Sequence, residues 1–443
     1  MGTTQIRDNK GARRMSKNYS RAPRSKERQE NRPSSRAAKA RSNKAKKPYF
    51  GFKFGGLAAV SRGFNPVKNK LKMFSMRSGL DMPFFFINMA VLVIGLVMMF
   101  SASYPNAYYY KNGDSYYFIR SQLIWAVIGV IAMIAVSYFD YHHFHKFALP
   151  ILGISFVLLV VVLFMPMVNG VHRWIPLGPI GFQASEITKF AIVLSFAHFI
   201  SVNFKRMGTF KYGILPYGII LAFTAFLLYL EPHISCLIIV VLLAGGMLYI
   251  GGVKLRWFGL VLAIALAAVG YVVLFTDKLG YANGRVQGWL DPFTSNPNVD
   301  TWQTKQGLYA IGSGGLWGLG LGQSRQKYLY IPEPQNDFIF SVVCEELGFI
   351  GALIILILFA MLIWRGIMIS MRAKDKFGTL LGIGLTAQVG LQVILNIFVV
   401  TNTIPNTGIS LPFFSYGGTS LVMLLVQMGI VLSISRTSKI EKT

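Results

Sequence analysis

A few ionisable side chains stand in this sequence where an apolar chain would not carry them without cause. Asp337, in IPEPQNDFIF at 331–340, is followed directly by Phe338, Ile339 and Phe340, so a carboxylate is held where a polar segment enters an apolar one. Either it caps the helix that begins there, by accepting free backbone N–H groups, or it is a functional group held at a membrane surface. Two turns further on come Glu345 and Glu346, and ionisable groups inside an apolar span are costly enough to be functional or paired. Glu186 and Lys189, at i and i+3, share a helix face and can neutralise each other. Arg173, in GVHRWIPLG, precedes Trp174, an aromatic suited to an interface; its guanidinium could grip a phosphate bidentately or anchor a lipid headgroup.

Other chemistry is missing. There is no Walker loop, no HExxH, no Gly-x-Ser-x-Gly and no Cys/His metal spacing. His142, His143 and His145 fall in an expected cytoplasmic loop, away from the groups above. Cys236 and Cys344 both lie in apolar runs, where a thiol behaves as a small hydrophobe, and imply neither a disulfide framework nor a metal cluster.

The elements that must position these groups are apolar helices. The 443 residues are 53% hydrophobic with only 14% charged, and the mean hydropathy is +0.49, which makes a membrane the solvent. Runs long enough to cross it fall at about 83–103, 118–139, 147–168, 184–202, 213–230, 233–250, 257–276, 338–364, 378–401 and 417–435. The formal charge of +27 would suggest nucleic acid if it covered a folded domain, but residues 1–80 hold 22 of the 44 Lys and Arg against Asp8, Glu27 and Glu30. That segment is expected to be a disordered basic tail held on the cytoplasmic side beside anionic lipid, not a nucleic-acid binder, with the first apolar run retained as a signal anchor.

With the tail inside, short inner loops carry Lys146, then Lys205, Arg206 and Lys211, then Lys254 and Arg256, then Arg372, Lys374 and Lys376, as the positive-inside rule requires. The expected fold is therefore an all-α polytopic membrane protein. It has ten transmembrane helices, both termini cytoplasmic, and a large extracytoplasmic loop, 277–337, between helices 7 and 8. The membrane domain spans 81–436, and 437–443 form a short cytoplasmic tail. The loop carries GSGG at 312–315 and GLWGLGLGQS at 315–324, and should be a structured external cap. TNTIPNTGISLPFFSYGGTS at 401–420 is too rich in Gly, Pro and polar residues for a span and reads as a re-entrant turn facing protein or water. No inverted repeat of the transporter kind is evident.

Several ordered motifs together resemble the shape, elongation, division and sporulation family, which includes FtsW, RodA and SpoVE. They are GLVMMFSASY at 95–104, NGVHRWIPLG at 169–178, FQASEITKF at 182–190, RVQGWLDPF at 285–293, PEPQNDFIFSVVCEELG at 332–348 and PNTGISLPFFSYGGTS at 405–420. The resemblance covers about residues 80–436 and implies a peptidoglycan glycosyltransferase that polymerises lipid II into glycan strands at the outer face of the cytoplasmic membrane. It implies that Asp337 is catalytic, that Arg173, Glu186, Lys189 and Arg285 line the active cavity, and that the other wall bears Pro405, Thr407 and Ser415. A class B penicillin-binding protein transpeptidase and other divisome proteins are implied as partners, with undecaprenyl-linked glycan as the growing strand and a divalent cation, Mg2+ or Mn2+, as a candidate cofactor. The long tail and the wording of the motifs are more similar to FtsW or SpoVE than to RodA, which points to the division septum. The sequence departs from the family at EPHIS, 231–235, where many relatives read Gln-Pro-Asp-Leu-Gly, and at Ala184, where Pro is usual. Ten spans with intramembrane charges would also suit a flippase or transporter of the lipid-linked precursor, or a non-catalytic divisome scaffold, and a carboxylate at the outer face is the feature that favours chemistry.

Overall fold

The structure, a computed structural model, describes residues 79–166, 172–177, 180–259, 287–294 and 301–437. The basic tail up to residue 78, Arg285, most of the expected seventh span and the start of the long loop lie outside the described residues. Lipid offers the backbone no hydrogen bonds, so each apolar run closes its own as a helix. The longer helices among the described residues are α1 (Met82–Tyr110), α2 (Tyr117–Tyr138), α3 (Phe144–Val162), α4 (Ala184–Asn203), α5 (Leu215–Leu230), α6 (Ile234–Ile250), α7 (Trp302–Gly314), α8 (Ile339–Met371), α9 (Lys376–Val400) and α10 (Gly418–Thr437). Among the described residues seven helices are long and apolar enough to cross a membrane, and α5 and α6 are shorter apolar helices. The chain is thus a multi-pass helical membrane protein. His145 lies inside α3 rather than in a loop, because that helix starts at Phe144.

The expectation of a purely α fold is corrected by one hairpin. β1 (Trp174–Leu177) pairs antiparallel with β2 (Ile180–Gln183), with Trp174 opposite Gln183 and Leu177 opposite Ile180. The strands carry Trp174, Ile175, Ile180 and Phe182, aromatic and β-branched residues that favour a pleated pair.

Helices α4, α9 and α10 are the most buried of the spans, whereas α2 and α3 turn most of their surface outward. Small residues allow the close crossings. On α2 and α10, a Cβ added at Gly429 would lie 2.5 Å from the Met133 carbonyl oxygen, and one at Gly129 would lie 2.5 Å from Leu425 Cδ1. Asp81 caps α1 by accepting from Phe84 N–H at 3.0 Å and receives Arg365 through Nε at 3.1 Å and Nη2 at 2.8 Å, tying the start of α1 to α8.

Helix α8 is not straight throughout. At Gly348 (φ 68°, ψ −172°) α8 breaks, and the turn after α7 enters the gap. Leu319 and Gly320 donate to the carbonyls of Glu345 (2.9 Å) and Glu346 (3.0 Å), and Phe349 donates to that of Gly315 (2.9 Å). A Cβ on Gly348 would lie 2.3 Å from Gly318 N, and one on Gly318 would lie 2.2 Å from the Glu346 carbonyl oxygen. Only glycine at both positions permits this contact, and both hold positive φ.

Beside the break, Glu345 and Glu346 are buried and saturated. Glu345 accepts from Ser313 Oγ, Ser324 Oγ and the N–H groups of Arg325 and Gln326. Glu346 accepts from Ser101 Oγ at 2.7 Å and from Lys327 Nζ at 2.7 Å. These carboxylates hold the 315–327 segment to the bundle.

Removing the cation alone would strand a buried charge, a loss of roughly 3–5 kcal/mol. Lys327→Met is expected to lower the melting temperature in detergent sharply, and Lys327→Met combined with Glu346→Gln to recover most of it; equal melting of the single and double variants would show that the pair is not coupled.

Candidate active site

A cavity of about 670 Å³ opens where the hairpin, the start of α4, the α5–α6 turn, the segment before α8, and residues 408–421 converge. It brings together five residues singled out from the sequence: Arg173, Glu186, Lys189, Asp337 and Ser415. Pro405 and Thr407 are not among its lining residues; instead the Thr407 carbonyl accepts from Ser235 Oγ, and Ser235 does line the cavity. Arg285 is outside the described residues. Trp289 of the same motif is described and exchanges hydrogen bonds with Asn402, indole to carbonyl at 3.0 Å and carboxamide to carbonyl at 2.9 Å, at the turn after α9.

Asp337 is placed by its backbone. Asn396 Nδ2, on α9, donates to the Asp337 carbonyl at 2.8 Å and to that of Ile409 at 2.6 Å. Ser415 Oγ donates to the neighbouring Asn336 carbonyl at 2.7 Å and accepts from Leu411 N–H at 2.8 Å. Tyr416 N–H donates to the Gln335 carbonyl at 2.9 Å. Gly408, at φ +69°, leaves room for the carboxylate: a Cβ there would sit 3.0 Å from Asp337 Oδ2.

The carboxylate itself does not cap α8. The N-cap position is Phe338, with no side-chain cap hydrogen bond, and Asp337 lies outside the span with its carboxyl oxygens accepting no hydrogen bond among the described residues. Burial is the main cause that pushes its carboxyl up to about 6, the charge of Glu333 adds to this, and Arg173 pulls the other way. A carboxylate poised near neutrality and aimed into a cavity is suited to general acid–base work.

Two cations, Arg173 and Lys189, line the same cavity. Lys189 Nζ meets Glu186 Oε1 at 2.8 Å with both side chains nearly sealed from solvent, so this pair is both an ion pair and part of the cavity wall. Arg173 Nη2 donates to the Pro232 carbonyl, which seats the guanidinium on the α5–α6 turn.

Three features of the site were not assigned to it from the sequence, although EPHIS at 231–235 stood out as a departure from the family. Glu231 is fully buried, neither of its carboxyl oxygens has a hydrogen-bond partner among the described residues, and burial pushes it up to about 8 against the pull of Arg173. Its neighbour His233, which lines the cavity, is held down to about 3 by burial and then by Arg173 and Lys189. Gln388 and Gln392 also line the cavity; with Asn396 they form a polar row at i, i+4 and i+8 on an otherwise apolar helix, a signal readable in the sequence.

The family model described as cell cycle protein, for FtsW, RodA and SpoVE, matches residues 82–440. The chain belongs to this family. Within it, the chain is 40% identical over 372 residues to stage V sporulation protein E of Bacillus subtilis, covering 83% of this chain and all of that one. It is 36% identical over 355 residues to the probable peptidoglycan glycosyltransferase FtsW of Trichlorobacter lovleyi, covering 79% of this chain and 92% of that one. The fold is similar to a chain in a solved peptidoglycan synthase complex, with a TM-score of 0.67 at 24% identity over 82% of this chain and 99% of that one. It is also similar to RodA of Thermus thermophilus, with a TM-score of 0.59 at 24% identity and the same coverage.

A carboxyl raised above its ordinary value is penalised when ionised. The stability that protonated Asp337 contributes is complete below the unfolded-state value of about 3.9 and is lost as pH rises through about 6. Asp337→Asn is therefore expected to melt above wild type at pH 7.5, with the difference narrowing toward pH 5; a lower melting temperature at both pH values would contradict the raised carboxyl.

Proposed function

We propose that the cavity polymerises lipid II, with Asp337 as the general base, and that the chain is a membrane-embedded peptidoglycan glycosyltransferase. One observation carries the reading: a carboxylate with a raised pKa, and no hydrogen bond among the described residues, lines a cavity that Arg173 and Lys189 also line. Asp337 takes the proton from the acceptor sugar hydroxyl as that oxygen attacks the anomeric carbon of the donor. The bond from that carbon to the diphosphate breaks, and undecaprenyl diphosphate leaves with the electron pair. Its growing negative charge is met by Arg173 and Lys189, with Arg285 as a third cation. Glu186 holds Lys189 at the wall, and Ser415 holds the segment that carries Asp337.

Among the described residues no group of three His, Cys, Asp or Glu side chains could hold a metal. A divalent cation, Mg2+ or Mn2+, would be held by Asp337 and Glu333, two carboxylates that line the cavity, and would supply neutralisation of the leaving charge.

The finer topology belongs to the same proposal: ten spans, both termini cytoplasmic, residues 277–337 outside with the cavity, and the basic tail inside. The names of the relatives support this activity, and the likeness to FtsW and stage V sporulation protein E supports work at the division septum or in spore formation; a class B penicillin-binding protein transpeptidase is the proposed partner.

The test is polymerisation of labelled lipid II by the purified chain with its cognate transpeptidase. Wild type is expected to make glycan strands and Asp337→Asn to be slower by roughly 10²–10⁴-fold; equal rates would remove Asp337 as the base, and no strands from either would favour the transporter or scaffold reading. The wild-type rate should climb with pH through about 6 and then level, as the base ionises. Arg173→Gln removes an attraction that favours the ionised carboxyl, so the inflection is expected to move to higher pH, and an unmoved inflection would place the titrating group elsewhere.

A further inference from the structure

A second cavity, of about 530 Å³, lies at the other end of α4, lined by Ser201, Val202, Asn203, Phe204, Lys205, Arg206 and Lys376. Glu186 and Lys189 are in the first turns of α4, and the 20 residues of that helix span about 30 Å, so the second cavity faces the opposite side of the membrane from Asp337. The start of α9 stands there too, while the segment after α9 forms the Asp337 cavity.

Three cations meet at this cavity, and among the described residues none has a carboxylate within salt-bridge distance. Lys376 Nζ instead stands 3.1 Å from the centroid of the Phe204 ring, and Arg206 stands 5.4 Å from that of Tyr212. The nearest acid in sequence, Asp375, is already engaged: it accepts from Tyr141 and from the N–H groups of Phe377 and Gly378, each at 3.2 Å. The carbonyl end of α4 favours Lys205 and Arg206, but it does not account for Lys376, which is the first residue of α9, where the helix dipole disfavours a cation.

Val202, 63% exposed, lines the cavity, and Phe210 and Leu215 are exposed close by along the chain. Cations gathered under aromatic rings and beside outward-facing apolar residues make a place for a phosphate that arrives on an acyl chain. We propose that this cavity binds the phosphate headgroup of an anionic membrane lipid, with its acyl chains along Val202.

The experiment titrates the purified, delipidated full chain in detergent with phosphatidylglycerol or phosphatidylcholine and reads bound lipid by native mass spectrometry. One phosphatidylglycerol is expected to be retained in preference to phosphatidylcholine, with binding weaker on the order of a hundredfold in the triple variant Lys205→Gln, Arg206→Gln, Lys376→Gln. A charge-matched variant outside the cavity, Lys146→Gln, Arg372→Gln, Lys374→Gln, should bind as wild type does, and unchanged melting of both variants excludes misfolding. Equal retention by the first triple variant, or an equal loss in the second, would overturn the site. Displacement of the lipid by millimolar inorganic phosphate would make it a soluble-anion site and overturn the lipid assignment.

Discussion

The carboxamide of Asn396 holds two carbonyls at once, those of Asp337 and Ile409, and the candidate site depends on that sharing. Where two non-helical segments meet inside a membrane protein, each exposed carbonyl must find a donor, because lipid supplies none. One side chain on the buried helix α9 answers for both segments, and Ser415 and the Tyr416 amide add further ties from the 405–417 segment to residues 335 and 336. The position of the Asp337 carboxylate follows from these backbone contacts, not from any bond of its own, so its oxygens stay available.

Three of the four carboxylates of the PEPQNDFIFSVVCEELG motif, Asp337, Glu345 and Glu346, separate by what they accept. Glu345 and Glu346 are filled with hydrogen bonds from Ser101, Ser313, Ser324, Lys327 and backbone N–H groups, the condition of an acid used as a structural joint. Among the described residues Asp337 accepts none, and its carboxyl is raised by burial. The same chemistry is thus fixed in one place and poised in another within nine residues, and solvation with hydrogen bonding makes the difference.

Much of this was legible in the sequence for a simple reason: apolar runs can only be helices in lipid, and rare charges in such a chain are few enough to enumerate. Arg173, Glu186, Lys189, Asp337 and Ser415, scattered over 243 positions, do line one cavity. What was not legible depends on partners distant in sequence. Gly348 reads as one glycine in a span until Gly318 is seen against it, and the pairing of β1 with β2 was hidden because the strands are only four residues each. The pairing of Glu345 and Glu346 could be anticipated as a need but not assigned to Ser324 or Lys327. Pro405 and Thr407 were placed at the wall by resemblance; the structure gives Thr407 a supporting contact through its carbonyl instead.

The break at Gly348 divides one continuous stretch of chain into two parts with different obligations. Residues 339–347 pack with α7 and the 315–327 turn, whereas residues 349–371 present Phe349, Ile354, Ile357, Met361 and Trp364 outward. Substitutions that adapt the second part to a thicker or thinner bilayer act on a helix whose axis is interrupted before it reaches the first. Lineages could therefore retune this span to new lipids without re-aiming the residue at its head, which gives the fold a measure of evolutionary independence between membrane fit and chemistry.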